Sequence, residues 1–250
     1  MLTRRSADLN RIDQHQINCD LTPGSMKVSD NLDDADYFKR YVDKLNTDYD
    51  YEHITCLSEL EVFEMLHSPL FKGGGTLDIG GMHIHPLNYA LGLAKAAKDA
   101  GADIYEHSRV INYSKNQPST VSTENGQVVA DHIVLACNAY LGKLEGRIAG
   151  KIMPVNNFML ATEPLEESEA HFINRDNVCV HDNKFHIHYF RMSADNRLLF
   201  GGGENYTRKF PKPLKDYVRA TMLEVYPKLA QKRIDYAWGG ALAVTVNRMS

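Results

Sequence analysis

Two pairs of histidines stand one residue apart, His83/His85 in "GMHIHPLN" and His186/His188 in "KFHIHYF". On a strand, that spacing projects both imidazoles from one face, which is how a His-x-His pair grips a metal ion. A zinc or di-metal centre needs about three or four such ligands. No His-Glu-x-x-His and no acidic partner motif accompanies either pair, and eleven histidines make chance pairs common. Packing and hydrogen bonding are the default roles; a place in a substrate pocket is the sharper alternative. The Gly-Gly-Gly runs at 73–75 and 201–203 could let backbone approach a ligand closely. Neither fits the dinucleotide turn Gly-x-Gly-x-x-Gly or a phosphate loop with its lysine. There is no Gly-x-Ser-x-Gly, so a nucleophilic serine has no support. Cys137 closes an apolar run and reads as a buried, inert thiol. The single tryptophan, Trp238, reads as core or pocket wall.

The elements that must position these residues are set by pattern. The chain has 250 residues, 43% hydrophobic and 24% charged, enough for one large or two smaller domains. A net charge of −4 with scattered basic residues argues against nucleic acid as a partner. No run approaches the ~20 apolar residues of a membrane span. Four widely spaced cysteines and a polar start fit a reducing, cytoplasmic compartment. The sequence sets no oligomeric state.

Pro23-Gly24 marks a turn. Helical spacing runs from Asp33 to Leu45. Ser58 with Glu61 forms a capping box that opens a helix over about 59–66. "TLDI" is a short extended piece. Pro86 suits the first turn of a helix that ends at Gly101. A strand or two follows in "ADIYEHSRVINY". Residues 119–137 then read as a strand, an Asn-Gly turn, a second strand and a buried strand at Ile133–Cys137. From 152 to 207 the chain is strand-rich, with a hairpin at "SADN". An amphipathic helix spans 213–226, and "RIDYAWGG" and "ALAVTVN" read as two final strands. Pattern alone gives an α/β portion at 86–137 and an α+β portion after it, and no reaction.

At "GGTLDIGGMHIHPLNYALGLAKAAKDAGADIYEHSRV" the chain resembles the D-amino-acid oxidase superfamily of FAD-dependent oxidoreductases, nearest the gamma-glutamylputrescine oxidoreductase group. The likeness continues through "ADHIVLACNAYLGKL", "IMPVNNFMLATEPL", "RLLFGGGENY" and "YAWGGALAVTVNRM". The resemblance implies an incomplete Rossmann-like FAD-binding domain, 1–72 with 86–150. Interleaved with it is a substrate domain, 73–85 with 151–250, on a mixed, largely antiparallel sheet. It implies FAD as cofactor and a small-molecule amine as partner. The amine loses a hydride to the flavin, and the imine so formed is hydrolysed.

By the same resemblance Val110 meets the cofactor through its backbone, and Ala136, Asn138 and Ala139 lie close to it. Asn138 stands where the family usually has glycine. His83, Tyr189, Arg191 and Gly202 are substrate-pocket candidates; the resemblance names no catalytic group and no metal ligand. The Gly-x-Gly-x-x-Gly turn is missing, and the chain stops at "VNRMS". The expectation is therefore an internal piece of a longer enzyme, or a truncated product, that binds FAD weakly or not at all by itself. The competing readings are a non-catalytic remnant used in binding or assembly, and a metallohydrolase built on the His-x-His pairs.

Overall fold

The computed structural model describes residues 2–207 and 209–247, with only the backbone of 2–6. Helix α1 (Leu2–Gln14) leads to strand β1 (Thr22–Val28), helix α2 (Ala35–Tyr49), strand β2 (Ile54–Leu57), helix α3 (Glu59–Leu66) and strand β3 (Gly75–His83). Helix α4 (Pro86–Asp99) precedes three short strands, β4 (Val110–Tyr113), β5 (Ser119–Thr123) and β6 (Gln127–Ala130). One turn of helix, α5 (Gly146–Ala149), then opens onto β7 (Ile152–Thr162), α6 (Glu167–Ile173), β8 (Cys179–Asp182), β9 (Tyr189–Met192), β10 (Leu198–Asn205), α7 (Leu214–Val225) and β11 (Ile234–Thr245).

Eight strands form one mixed sheet in the order β11-β7-β10-β9-β8-β1-β3-β2. Only β1 and β8 run parallel among its described pairings, so the expected mixed, largely antiparallel sheet is present. The strands β4-β5-β6 form a separate small sheet. The large sheet includes β1 and β2, and so runs across the division expected at 72/73.

One face of the large sheet carries the core. Its period-2 alternation turns Met26, Val180, Phe190, Phe200 and Leu160 inward. They meet Val62 and Leu66 of α3, Ile173 of α6, and Val218, Met222 and Val225 of α7. Fully burying one such side chain contributes about 1.5–3 kcal/mol, which ties the three helices to this face. The capping box at Ser58 and Glu61 is formed and starts α3 as its sequence requires.

Several expected elements differ. Pro23-Gly24 is no chain reversal: β1 continues through it with a bulge, where Gly24 takes φ 99°. Ile133–Cys137 forms no strand, and Val134 is 87% exposed. Apolarity marked the segment for burial, but none of the described strands pairs with it. Cys137, read as buried, is half-exposed in that loop. "RIDYAWGG" and "ALAVTVN" are one twelve-residue strand, β11, because β7 offers an equally long edge to pair with. Helix α1 was not legible, since its apolar positions Leu9 and Ile12 are sparse among charges.

Candidate functional site on the open face of the sheet

At its β2–β3 end the face opposite the core is covered by α2. Beyond it the alternate residues of six strands lie beside one another, from half-buried Lys27, His181 and Tyr189 to exposed Trp238. Register sets one continuous row: Lys27 pairs with His181, His181 with Tyr189, Tyr189 with Gly201, Gly201 with Met159, and Met159 with Trp238. A second row holds Arg191, Leu199, Ala161 and Tyr236. Directly paired side chains on one face sit about 4.5–5.5 Å apart at Cβ, so each row is a contiguous surface.

Two of the pocket candidates, Tyr189 and Arg191, therefore lie together on this face. The Tyr189 ring lies across Gly201, where any Cβ would overlap it. Its hydroxyl donates to Asn157 Oδ1. Burial, helped by the charge of Glu204, pushes the Tyr189 phenol up to about 12, so it stays protonated and neutral in ordinary buffer. The half-buried Arg191 guanidinium donates to the carbonyls of Met192 (3.0 Å) and Ile84 (3.1 Å). Burial lowers its pKa, partly offset by the charges of Cys179 and Asp20. Among the described residues no carboxylate lies within 4 Å of it.

The other two pocket candidates are elsewhere. Gly202 points to the core side, where a Cβ would press on Thr221 of α7. His83 closes β3, is 9% exposed, and its Nε2 lies 2.8 Å from the Asn177 carbonyl. Burial lowers the His83 pKa; the Asn177 carbonyl opposes this, and the Arg191 charge adds to it.

The histidine pairs are each split between separate partners. His85 caps α4, with Nδ1 accepting from the Asn88 N–H at 3.2 Å. His186 and His188 precede β9 rather than sharing a strand face. His186 Nδ1 meets Glu204 at 2.9 Å. His188 Nδ1 lies 2.8 Å from Asp182 Oδ2 but off the line of a hydrogen bond. Among the described residues no group of three or more His, Cys, Asp or Glu is placed to hold a metal ion.

Of the cofactor-side candidates, Asn138 and Ala139 lie in a turn beside β11. Asn138 takes φ 50°, the left-handed region that glycine favours and asparagine tolerates. Asparagine can therefore follow this backbone path. Its side chain accepts from the N–H groups of Ala139 (2.7 Å) and Ala243 (3.2 Å) and so ties this loop to β11. Ala136 is exposed in the same loop. Val110 lies apart on the small sheet, exposed at the start of β4.

That small sheet is anchored by Glu145, which accepts from Tyr113 (2.6 Å) and Lys115 (2.7 Å). Lys115, then Tyr113, then the Arg147 N–H hold its carboxyl down to about 2.

Sequence reading missed His181, Asn157 and Met159 as members of the open face. The alternation in "CVHD" and "YFRM" could have flagged His181 beside Tyr189; the register that joins them is written in no single segment.

Comparison with known proteins agrees with this architecture. The family described as FAD dependent oxidoreductase matches residues 2–249. Gamma-glutamylputrescine oxidoreductase of Escherichia coli is 36% identical over 241 residues, covering 96% of this chain and 56% of that protein. A probable oxidoreductase of Rhizobium meliloti, OrdL, is 34% identical over 237 residues, covering 94% and 55%. The chain thus spans about half the length of these relatives. Among solved structures, glycine oxidase from Geobacillus kaustophilus superposes with a TM-score of 0.81 at 20% identity, over 99% of this chain and 67% of that one. L-proline dehydrogenase from P. horikoshii does so at 0.77 and 18%, over 97% and 67%.

Proposed function

The chain belongs to the family of FAD-dependent oxidoreductases, and from that premise we propose that its open sheet face is the substrate side of an amine-oxidising site. Residues 86–150 form the flavin side in this reading. The carrying observation is the pair Tyr189 and Arg191 on one open face, with Arg191 lacking a carboxylate of its own.

The residues present fit part of the cofactor. The loop at 136–139 and the row from Tyr189 to Trp238 offer a broad surface to a flat ring, with Asn138 and Ala139 its proposed backbone contacts and Val110 a further one. Among the described residues no phosphate cradle accompanies them: α4 begins at Pro86, and its N-terminus is already capped by His85. When bound, the flavin would supply the two-electron acceptor that takes hydride from the amine-bearing carbon, leaving an imine for water to hydrolyse.

The protein's own part is positioning. Arg191 holds a carboxylate on the substrate through its spare N–H groups, a charge-assisted contact. Tyr189, protonated and bonded to Asn157, is a neutral wall that brings no charge near the amine. The glycine at 201 lets that wall lie flat. The substrate class is therefore an amine that also carries a carboxylate; the Escherichia coli relative, named for gamma-glutamylputrescine, supports this.

The test is anaerobic addition of such an amine to the chain with excess FAD, following the flavin band at about 450 nm. Bleaching is expected, and Arg191→Met should raise the half-saturating amine concentration at least about tenfold. Equal response of Arg191→Met and wild type would remove Arg191 from the site.

A further inference from the structure

A cavity of about 580 Å³ opens between α1, α2 and β3, at the end of the sheet far from Trp238, and Ile84, whose carbonyl receives Arg191, is part of its lining. Its origin is a mismatch in β3. Asp78 pairs with Ser25 and Met82 with Pro23, so Ile79, Gly80 and Gly81 face a single residue of β1 and the strand bows out. Ile54, Met82 and Tyr41 contribute to its largely apolar and aromatic wall.

The polar groups on that wall share one character. Among the described residues, its charged side chains are Asp8 and Asp78, and no lysine or arginine lines it. Lys27 and Lys44 sit over the rings of Tyr41 and Tyr49 without lining the cavity. Asp8 is already matched by Arg11 and the Tyr89 hydroxyl. Asp78 is not: Oδ1 accepts from Tyr51 at 2.6 Å, and among the described residues no cation lies within 4 Å of the carboxylate. His83 lines the same cavity. A carbonyl can only accept, so the contact with Asn177 places the His83 proton on Nε2 and leaves Nδ1 as a buried acceptor with no partner. Among the described residues, neither Asp78 nor His83 Nδ1 thus has an N–H donor, beside an apolar wall.

We propose that this cavity is a second small-molecule site that takes a primary alkylammonium, its ammonium on Asp78 and its carbon chain against Ile54, Met82 and the Tyr41 ring. The charge-assisted contact selects a cation, and the aromatic and aliphatic wall selects a chain over a free ion. This site needs no flavin and stands whether or not the open face oxidises amines.

The test is isothermal titration of the flavin-free chain with n-pentylammonium and with 1-pentanol, its neutral analogue. Saturable one-to-one binding of the ammonium is expected, with the alcohol at least about tenfold weaker. Asp78→Asn should weaken the ammonium about tenfold, and Met82→Trp, which fills the cavity and keeps the carboxylate, should do the same. Tyr189→Phe, outside the lining, should leave it unchanged. No saturable binding, equal binding of the alcohol, or binding abolished by Tyr189→Phe and kept with Met82→Trp would each overturn the site. Thermal melts of the two cavity variants identify any that fail to fold, and the other then decides.

Discussion

Helices α7 and α4 are both amphipathic in sequence, and the structure treats them differently. In α7, Val218, Met222 and Val225 are fully enclosed between the helix and the large sheet. In α4 no residue is buried, and Leu87 and Leu91 are each 60% exposed. The contrast extends to the regions around them. The large sheet has a continuous core from Met26 to Ile234, whereas residues 86–150 expose Val128, Val129, Val134 and Tyr140. An apolar stripe states that a face is to be covered; it does not state by what. Stability in this chain resides in the large sheet, and the proposed flavin side is held to it by specific polar ties such as those of Asn138 and Tyr140 to β11.

The largest effect should come from the core. Phe200→Ala removes a fully buried ring and should cost about 3–5 kcal/mol in denaturant unfolding. The matching change in the other region, Leu91→Ala, should stay within about 0.5 kcal/mol. Equal destabilisation by the two would break the comparison. Next is Gly201→Val, which forces the Tyr189 ring off its seat and should cost about 1–3 kcal/mol as overpacking. A crystal structure of that variant should show the Tyr189 hydroxyl no longer bonded to Asn157. Ser58→Ala removes the cap of α3 and should cost about 1 kcal/mol by the same unfolding assay.

The smallest effect is local and set by pH. The folded Glu145 carboxyl sits at about 2, below its usual value near 4.5. A depressed carboxyl stabilises the folded form above its unfolded pKa and ceases to do so as pH falls through the folded value. Hydrogen exchange at Tyr113–Lys115 should therefore quicken between about pH 4.5 and 2 beyond the intrinsic trend. Glu145→Gln should abolish that pH dependence.

Most of the regular elements were legible because their signals are local. The box at Ser58, the Pro86 start of α4 and the Asn-Gly turn of β5–β6 each lie within a few residues. What was not legible depends on partners distant in sequence. Whether Pro23-Gly24 turns or bulges depends on β3 lying beside it. Whether Ile133–Cys137 becomes a strand depends on a pairing edge. The one-residue spacing of Tyr189 and Arg191 already puts them on one strand face, whereas the core-side direction of Gly202 was not legible, since three consecutive glycines carry no alternation to read. The row through His181 and Met159 exists only in the cross-strand register.

Trp238 offers the most direct test of the central claim, because it is the chain's single tryptophan and stands at the end of the open row. Its fluorescence lifetime should shorten saturably as FAD is added. An unchanged Trp238 lifetime in protein shown by equilibrium dialysis to hold FAD would place the flavin elsewhere and contradict the account.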